Sequence, residues 1–310
     1  MSRRIRLQPL TRARVATLGE TGAVWVAALP QILAELEEEW SITVGRALPG
    51  GSNSYVARAV NAAGEPSVIK VAVPGDDLAE QAATLERAQG RGYVRLLSFS
   101  SSRNAIRLES LGRSLQQSAL APEDQVRRCA EVLRIAWQDA AGRRPAVGDD
   151  KASGLHRIIS ELWPALGQPC SERVVEQALT FAVRRMSVDP AELVFVHGDP
   201  HPGNLLAVPT PRAGAESGYC FVDPNGFIAD RAYDLGVVLR DWNSVLEPGT
   251  ARAKLERYCG VVADHSGVDA TRIWEWAFIE RVSSGLYVMA IGSPAVGRPF
   301  LESAELLVDA

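Results

Sequence analysis

No uncharged apolar run reaches the roughly 18 residues that a membrane-spanning helix needs, so no membrane partner is expected. Cysteine is scarce. Cys129, Cys170, Cys220 and Cys259 stand far apart and form no C-x-x-C pair, which argues against a disulfide framework or a zinc site and fits a reducing compartment. The basic start, Met1-Ser-Arg-Arg-Ile-Arg6, is not followed by an apolar core, because Thr11, Arg12, Arg14, Glu20 and Thr21 interrupt it. A cytoplasmic location is the expectation. No stripe of Lys and Arg interleaved with aromatics is present, so nucleic acid is not an expected partner. The sequence also lacks G-x-x-x-x-G-K-[ST], which excludes a P-loop enzyme, and G-x-S-x-G, which removes the hydrolase elbow.

What is present suffices for a large core. Of 310 residues, 46% are hydrophobic, enough for one large or two ordinary domains without disulfides. The formal net charge of -4 is mildly acidic and selects no partner by itself.

Residues 1–20 carry five arginines and one acid, and read as a loose arm or a terminal helix. Residues 23–40 read as a helix with Val26, Leu29, Ile32, Leu33, Leu36 and Trp40 near a 3.6 period, although Pro30 offers an alternative start. Three β-rich runs follow, Ile42–Leu48, Ser54–Val60 and Ser67–Val73, joined by Pro49-Gly50-Gly51-Ser52-Asn53 and by residues 61–65, both of hairpin chemistry. A helix near 77–89 and strands Tyr93–Phe99 and Asn104–Glu109 close this block. Beyond Gly112 the chain is mostly helical, with helices near 122–140, 171–186, 230–246, 249–264 and 270–291, and a loop at 141–152. A short strand, Leu193–Val196, and a hairpin of Leu205–Val208 with Tyr219–Val222 interrupt them. The expected fold class is α+β, with an N-lobe of residues 1–111 built on a small antiparallel sheet and a mainly helical C-lobe of residues 112–310.

The chemistry gathers on His197-Gly-Asp-Pro-His-Pro-Gly-Asn204 and on Asp223. Asp199 follows an apolar strand and sits among Pro200, Pro202 and Gly203, held out of regular structure, where a carboxylate can orient a hydroxyl and accept its proton. Asn204 and Asp223 would lie at one end of the hairpin and supply oxygen ligands suited to Mg²⁺. His197 and His201 are four apart, but Pro200 and Pro202 forbid the helix on which such a pair would converge on metal. His197 is expected to brace the loop and His201 to fill it. Lys70, inside Val68-Ile-Lys-Val-Ala-Val73, either meets phosphate or lies on a wet strand face. The turn Gly50-Gly51-Ser52 either folds over phosphates with its N–H groups or is a plain hairpin. These parts suit phosphoryl transfer, which asks a protein for charge neutralisation and positioning.

The ordered set resembles the aminoglycoside phosphotransferase family, in its branch of streptomycin 6-phosphotransferases and hydroxyurea phosphotransferases. Besides the motifs above, Trp25-Val-Ala-Ala-Leu-Pro30, Gly90-Arg-Gly-Tyr-Val-Arg-Leu-Leu97, Leu108-Glu109, Asp223-Pro224 and Trp274-Glu-Trp-Ala-Phe278 carry the likeness over most of residues 23–290. The resemblance implies a bilobal protein-kinase-like fold, ATP and Mg²⁺ as cofactors, and a small-molecule acceptor, a cationic aminoglycoside such as streptomycin phosphorylated at its 6-hydroxyl, giving resistance. It makes Asp199 the catalytic base, Asn204 and Asp223 the Mg²⁺ ligands, and Lys70 the α/β-phosphate contact. Residues Glu109 to Leu111 become the hinge that receives adenine, and the protein is a monomer or homodimer. Two positions depart from the pattern. The helical acid expected to pair with Lys70 falls at Gln81, with Glu80 beside it, and Asn225 follows Asp-Pro where Lys or Glu is usual. Asp230, Asp241, Glu275 and Glu280 are candidates to receive the acceptor's cations, the alternative being a solvated helix face. Asp234 is expected to brace the catalytic loop. Other readings are a kinase of hydroxyurea or a metabolite, and a nucleotide-binding pseudokinase, which only Gln81 favours.

Overall fold

A computed structural model describes residues 5–49, 51 and 53–308. The chain divides into two compact units, one running to Gly112 and one starting at Arg113, a residue beyond the expected division.

The first unit is a five-stranded antiparallel sheet with helices. Its strands are β1 (Ile42–Ala47), β2 (Ser54–Asn61), β3 (Pro66–Ala72), β4 (Leu96–Ser100) and β5 (Ala105–Glu109), in the order β1-β2-β3-β5-β4. Before them come α1 (Pro9–Thr17) and α2 (Gly19–Glu39), and α3 (Ala79–Ala88) joins β3 to β4. The face that α2 lays on the sheet is Trp25, Leu29, Leu33 and Leu36, packed with Tyr55, Ala57, Ile69 and Val71. Val26, expected on that face, is 38% exposed, because the buried stripe runs one residue earlier. Pro30 starts no helix and lies inside α2. Burial of the Leu29–Leu33–Leu36 stripe outweighs the one backbone hydrogen bond that its missing N–H removes.

The second unit is built around α9 (Ala270–Ala290), which is buried on nearly every side. Against it pack α5 (Lys151–Ala165), α6 (Glu172–Arg185), α7 (Arg231–Arg240), α8 (Ala251–Ser266) and α10 (Pro294–Val308), while α4 (Pro122–Ala136) packs on α8. Helices α5 and α10 were not foreseen. Gly236 lets α7 cross α9 closely: a Cβ there would fall 2.5 Å from Trp276 Cβ. Helix α7 also stops at Arg240, well short of residue 246, with a short 3₁₀ turn at Asn243–Val245 after it.

Small sheets carry the loops. Strands β6 (Gln138–Asp139), β7 (Leu193–Phe195) and β10 (Ile228–Asp230) form one, in the order β10-β7-β6, and β8 (Leu205–Ala207) pairs antiparallel with β9 (Tyr219–Phe221) in the other. Among the described residues no helix is long and apolar enough to cross a membrane.

Candidate functional site

The loop after β7 is tied down on every side. Asp234, fully buried in the first turn of α7, accepts from the backbone N–H groups of His197 at 2.8 Å and Gly198 at 2.8 Å and from Trp137 Nε1 at 2.9 Å. Trp137 reaches it because α4 ends at Ala136 and the next residue turns extended. Burial lifts the Asp234 pKa to about 6, against the opposing pull of those three donors. Gly198 has φ +91°, and a Cβ there would meet Asn225 Cβ and Phe227 Cε1, both at 2.8 Å, so only glycine fits the turn.

His197 is a brace, as expected. Its ring is fully buried; Nδ1 accepts from the Asp199 N–H at 3.1 Å, so Nε2 carries the proton and donates to Val222 O at 2.9 Å. Burial drives its pKa down to about 4, which keeps it neutral. His201 holds the loop locally, Nδ1 accepting from the Gly203 N–H at 3.0 Å, and its Nε2 stands 3.6 Å from Asp199 Oδ2.

The structure brings Asn204 and Asp223 to one end of the β8–β9 hairpin. The Val222 N–H donates to Asn204 O at 2.9 Å, one residue before Asp223. Asn204 Nδ2 donates to Asp199 O at 3.0 Å, which orients the amide and leaves its oxygen as the end for a ligand. Asp223, two residues past the end of β9, adopts φ +59°, a left-handed conformation that an L-residue other than Gly takes at a cost. The Asn204 amide oxygen and the Asp223 carboxylate, at one end of the hairpin, are oxygen donors of the kind that a hard divalent cation such as Mg²⁺ takes.

Asp199 itself is 40% exposed and opens onto a pocket of about 430 Å³ that Asn225, Lys151, Arg240, Asp241 and Glu280 also line. Arg240 was not singled out in the sequence. Its Nη2 donates to Asp199 Oδ1 at 2.9 Å, its Nε to Asp241 Oδ1 at 2.9 Å and its Nη1 to Glu280 Oε2 at 3.2 Å. Burial would lower its pKa, and the Asp241 and Glu280 carboxylates more than reverse that, lifting it well above the ordinary guanidinium range. Lys151 Nζ lies 5.1 Å from the Tyr233 ring centre and 5.5 Å from that of Phe227.

Two of the four acids considered for an acceptor's cations are structural instead. Asp230 caps α7 by accepting from the Ala232 N–H, binds Trp276 Nε1 and pairs with Arg272. Glu275 is buried between Arg184 and Arg185. Neither they nor Glu280 lies on a solvated helix face; all are at most 3% exposed.

In the first unit Lys70 is 8% exposed, so the wet-face alternative fails. Its Nζ donates to Gln81 Oε1 at 3.1 Å, while Glu80 faces solvent. The partner on α3 is therefore the neutral amide. Gly51 has φ +79° and is exposed, whereas Gly50 and Ser52 lie outside the described residues. The turn is held from behind by α1 and the residue before it. Thr11 Oγ1 donates to Gly51 O and Ser54 O, both at 3.1 Å, and Gln8 Nε2 to Leu48 O and Val56 O at 2.9 and 2.8 Å. Glu109 ends β5, its N–H donating to Arg95 O and its Oε1 accepting from the Arg95 N–H, and Leu111 follows it half-buried.

The chain is similar to known proteins. The profile of the aminoglycoside/hydroxyurea antibiotic resistance kinases matches residues 39–292. A streptomycin 6-kinase of Streptomyces glaucescens is 24% identical over 97% of this chain and 96% of its own. A hydroxyurea phosphotransferase of Kitasatospora aureofaciens is 25% identical over 94% and 82%. Among solved structures, the choline kinase LicA of Streptococcus pneumoniae superposes with a TM-score of 0.59 at 14% identity, covering 90% of this chain and 98% of that one, which shows the kinase-like fold.

Proposed function

The chain belongs to the aminoglycoside/hydroxyurea antibiotic resistance kinase family and is a small-molecule phosphotransferase; we propose that its acceptor is a cationic aminoglycoside, streptomycin at the 6-hydroxyl, and that the reaction confers resistance. The family implies ATP as the phosphoryl donor. The observation that carries the acceptor reading is the acidic wall of the pocket beside Asp199. Glu280, 3% exposed, keeps Oε1 buried with no hydrogen-bond partner, and Asp241 lines the same pocket. A buried carboxylate oxygen without a donor is costly, and an acceptor's guanidinium or ammonium would satisfy it.

Asp199 orients the acceptor hydroxyl. The hydroxyl oxygen forms its bond to the γ-phosphorus as the bond from that phosphorus to the bridging oxygen breaks. ADP leaves with that electron pair, and the hydroxyl proton passes to Asp199. Asn204 and Asp223 would hold the divalent cation, which when bound neutralises phosphate charge. Lys70 adds its charge against the α- and β-phosphates, the turn containing Gly51 offers backbone N–H groups, and the stretch from Glu109 to Leu111 receives adenine.

A second reading has one observation in its favour. Arg240 and Lys151 place two cations in the same pocket, which suits a small neutral acceptor such as hydroxyurea. The two are separated by following ADP release at saturating MgATP with each compound. Streptomycin turnover no faster than the rate without drug removes the first reading, and hydroxyurea turnover alone establishes the second.

A further inference from the structure

We propose that Arg240 is the positioning residue of the transfer step, fixing the Asp199 carboxylate so that Oδ2 is the oxygen that meets the acceptor hydroxyl. The inference rests on Asp199 being the orienting carboxylate. A carboxylate 40% exposed at the rim of a pocket would ordinarily rotate about χ1 and χ2. Here Oδ1 is taken by Arg240 Nη2 at 2.9 Å and the Asp199 backbone by His197 Nδ1 at 3.1 Å. Among the described residues Oδ2 meets only His201 Nε2 at 3.6 Å, too far for a hydrogen bond, and is left for the substrate.

The guanidinium cannot swing along with Asp199. Its planar fork is anchored in two further directions, by Asp241 through Nε and by Glu280 through Nη1. The backbone beneath is clamped too. Arg281, fully buried on α9, donates to Leu239 O at 2.9 Å and to Arg240 O at 3.2 Å. The chain thus commits two arginines, on α7 and α9, to the direction of one carboxylate oxygen. In-line attack on phosphorus demands such a direction, since an acceptor oxygen displaced by an ångström is out of line.

The test compares Arg240→Gln, the double variant Arg240→Gln/Glu280→Gln and Asp199→Asn with the intact enzyme. The double variant avoids stranding the buried Glu280 charge, so a folded protein is available if Arg240→Gln alone unfolds. Release of ADP from MgATP is followed with streptomycin and with water as the only acceptor, alongside thermal melting. The expected result is a kcat lower by about 100-fold in both Arg240 variants, with KM for MgATP changed by less than about threefold in both and acceptor KM by less than about threefold in Arg240→Gln; the double variant also loses the Glu280 carboxylate, so it is read by kcat and by the water reaction. The water reaction should fall in parallel. A folded double variant with kcat within about threefold of the intact enzyme overturns the proposal, as does a loss confined to acceptor KM in Arg240→Gln, which would make Arg240 an acceptor contact. Asp199→Asn keeps the two levels apart. If it stays fully active, the role of Asp199 falls and the proposal with it. If it is inactive while the double variant is not, only the role of Arg240 falls.

Discussion

Replacing Asp234 by alanine removes one carboxylate and strands three buried donors: the N–H groups of His197 and Gly198 and the indole N–H of Trp137. An orphaned buried donor costs about 1–3 kcal/mol, so the three together are worth roughly 6 kcal/mol. Part of that is offset, because alanine also relieves the burial of the carboxylate that lifts its pKa to about 6. A net destabilisation of about 3 kcal/mol corresponds to a melting temperature lower by roughly 6–12 °C for a unit of this size. The larger effect is on the reaction. His197 and Gly198 directly precede Asp199, and once their N–H groups are free the loop shifts, for an expected loss of about 100-fold in kcat. Asparagine keeps an acceptor oxygen for part of the cluster and sheds the charge, so Asp234→Asn should cost only about 1 kcal/mol. Melting curves and initial rates measure both quantities on the same preparations. An alanine variant that melts within about 2 °C of the intact protein and turns over within about threefold of it would refute the brace. A lower melting point with kcat intact would leave a brace that stabilises without positioning.

Three further outcomes are expected. His197, neutral at a pKa of about 4 against 6.5, makes the unfolded chain the better proton binder between those values, so its contribution to stability grows as pH rises through that window. Asp234, raised to about 6 from 3.8, does the reverse, and the two slopes nearly cancel; urea unfolding of Asp234→Asn should therefore show stability climbing between pH 4 and 6.5 by about 3 kcal/mol more than in the intact protein, and equal slopes would sink the assignment. Changing Gln81 to Glu replaces the neutral partner of Lys70 with a charge that competes for the ammonium, so KM for MgATP should rise up to about tenfold with kcat kept, and an unchanged KM counts against the phosphate role of Lys70. Thr11→Val removes the hydroxyl that binds Gly51 O and Ser54 O; it should cost about 1 kcal/mol and raise KM for MgATP while sparing acceptor KM, as steady-state kinetics would reveal.

The parts of this molecule that were legible in its sequence are those whose physics is local. Strand runs bounded by Gly-Gly-Ser and Asn-Ala-Ala-Gly specify hairpins within a dozen residues, and the sheet through β3 follows from them. Asn204 and Asp223 could be placed together because antiparallel pairing of β8 and β9 fixes which residues share an end. The prolines around His201 settled the loop by forbidding a helix. Arg240 gave no such signal. It is one arginine at the end of a helical run, and its meaning depends on Asp199 lying 41 positions earlier and Glu280 lying 40 later. The carboxylates failed for a related reason. Acids on a helix read as solvated by default, yet Asp230 and Glu275 are buried because Arg272, Arg184 and Arg185 come from other turns and other helices to meet them. Burial of a charge is decided by its partner, and the partner is chosen by packing. The reaction class was therefore readable from motif order, whereas the division of the Arg240 guanidinium among Asp199, Asp241 and Glu280 was not. On the proposed reading, a cationic acceptor would share Asp241 and Glu280 with Arg240 while Asp199 stays aimed at the hydroxyl. On that reading the contacts that aim Asp199 also limit how much positive charge the pocket takes.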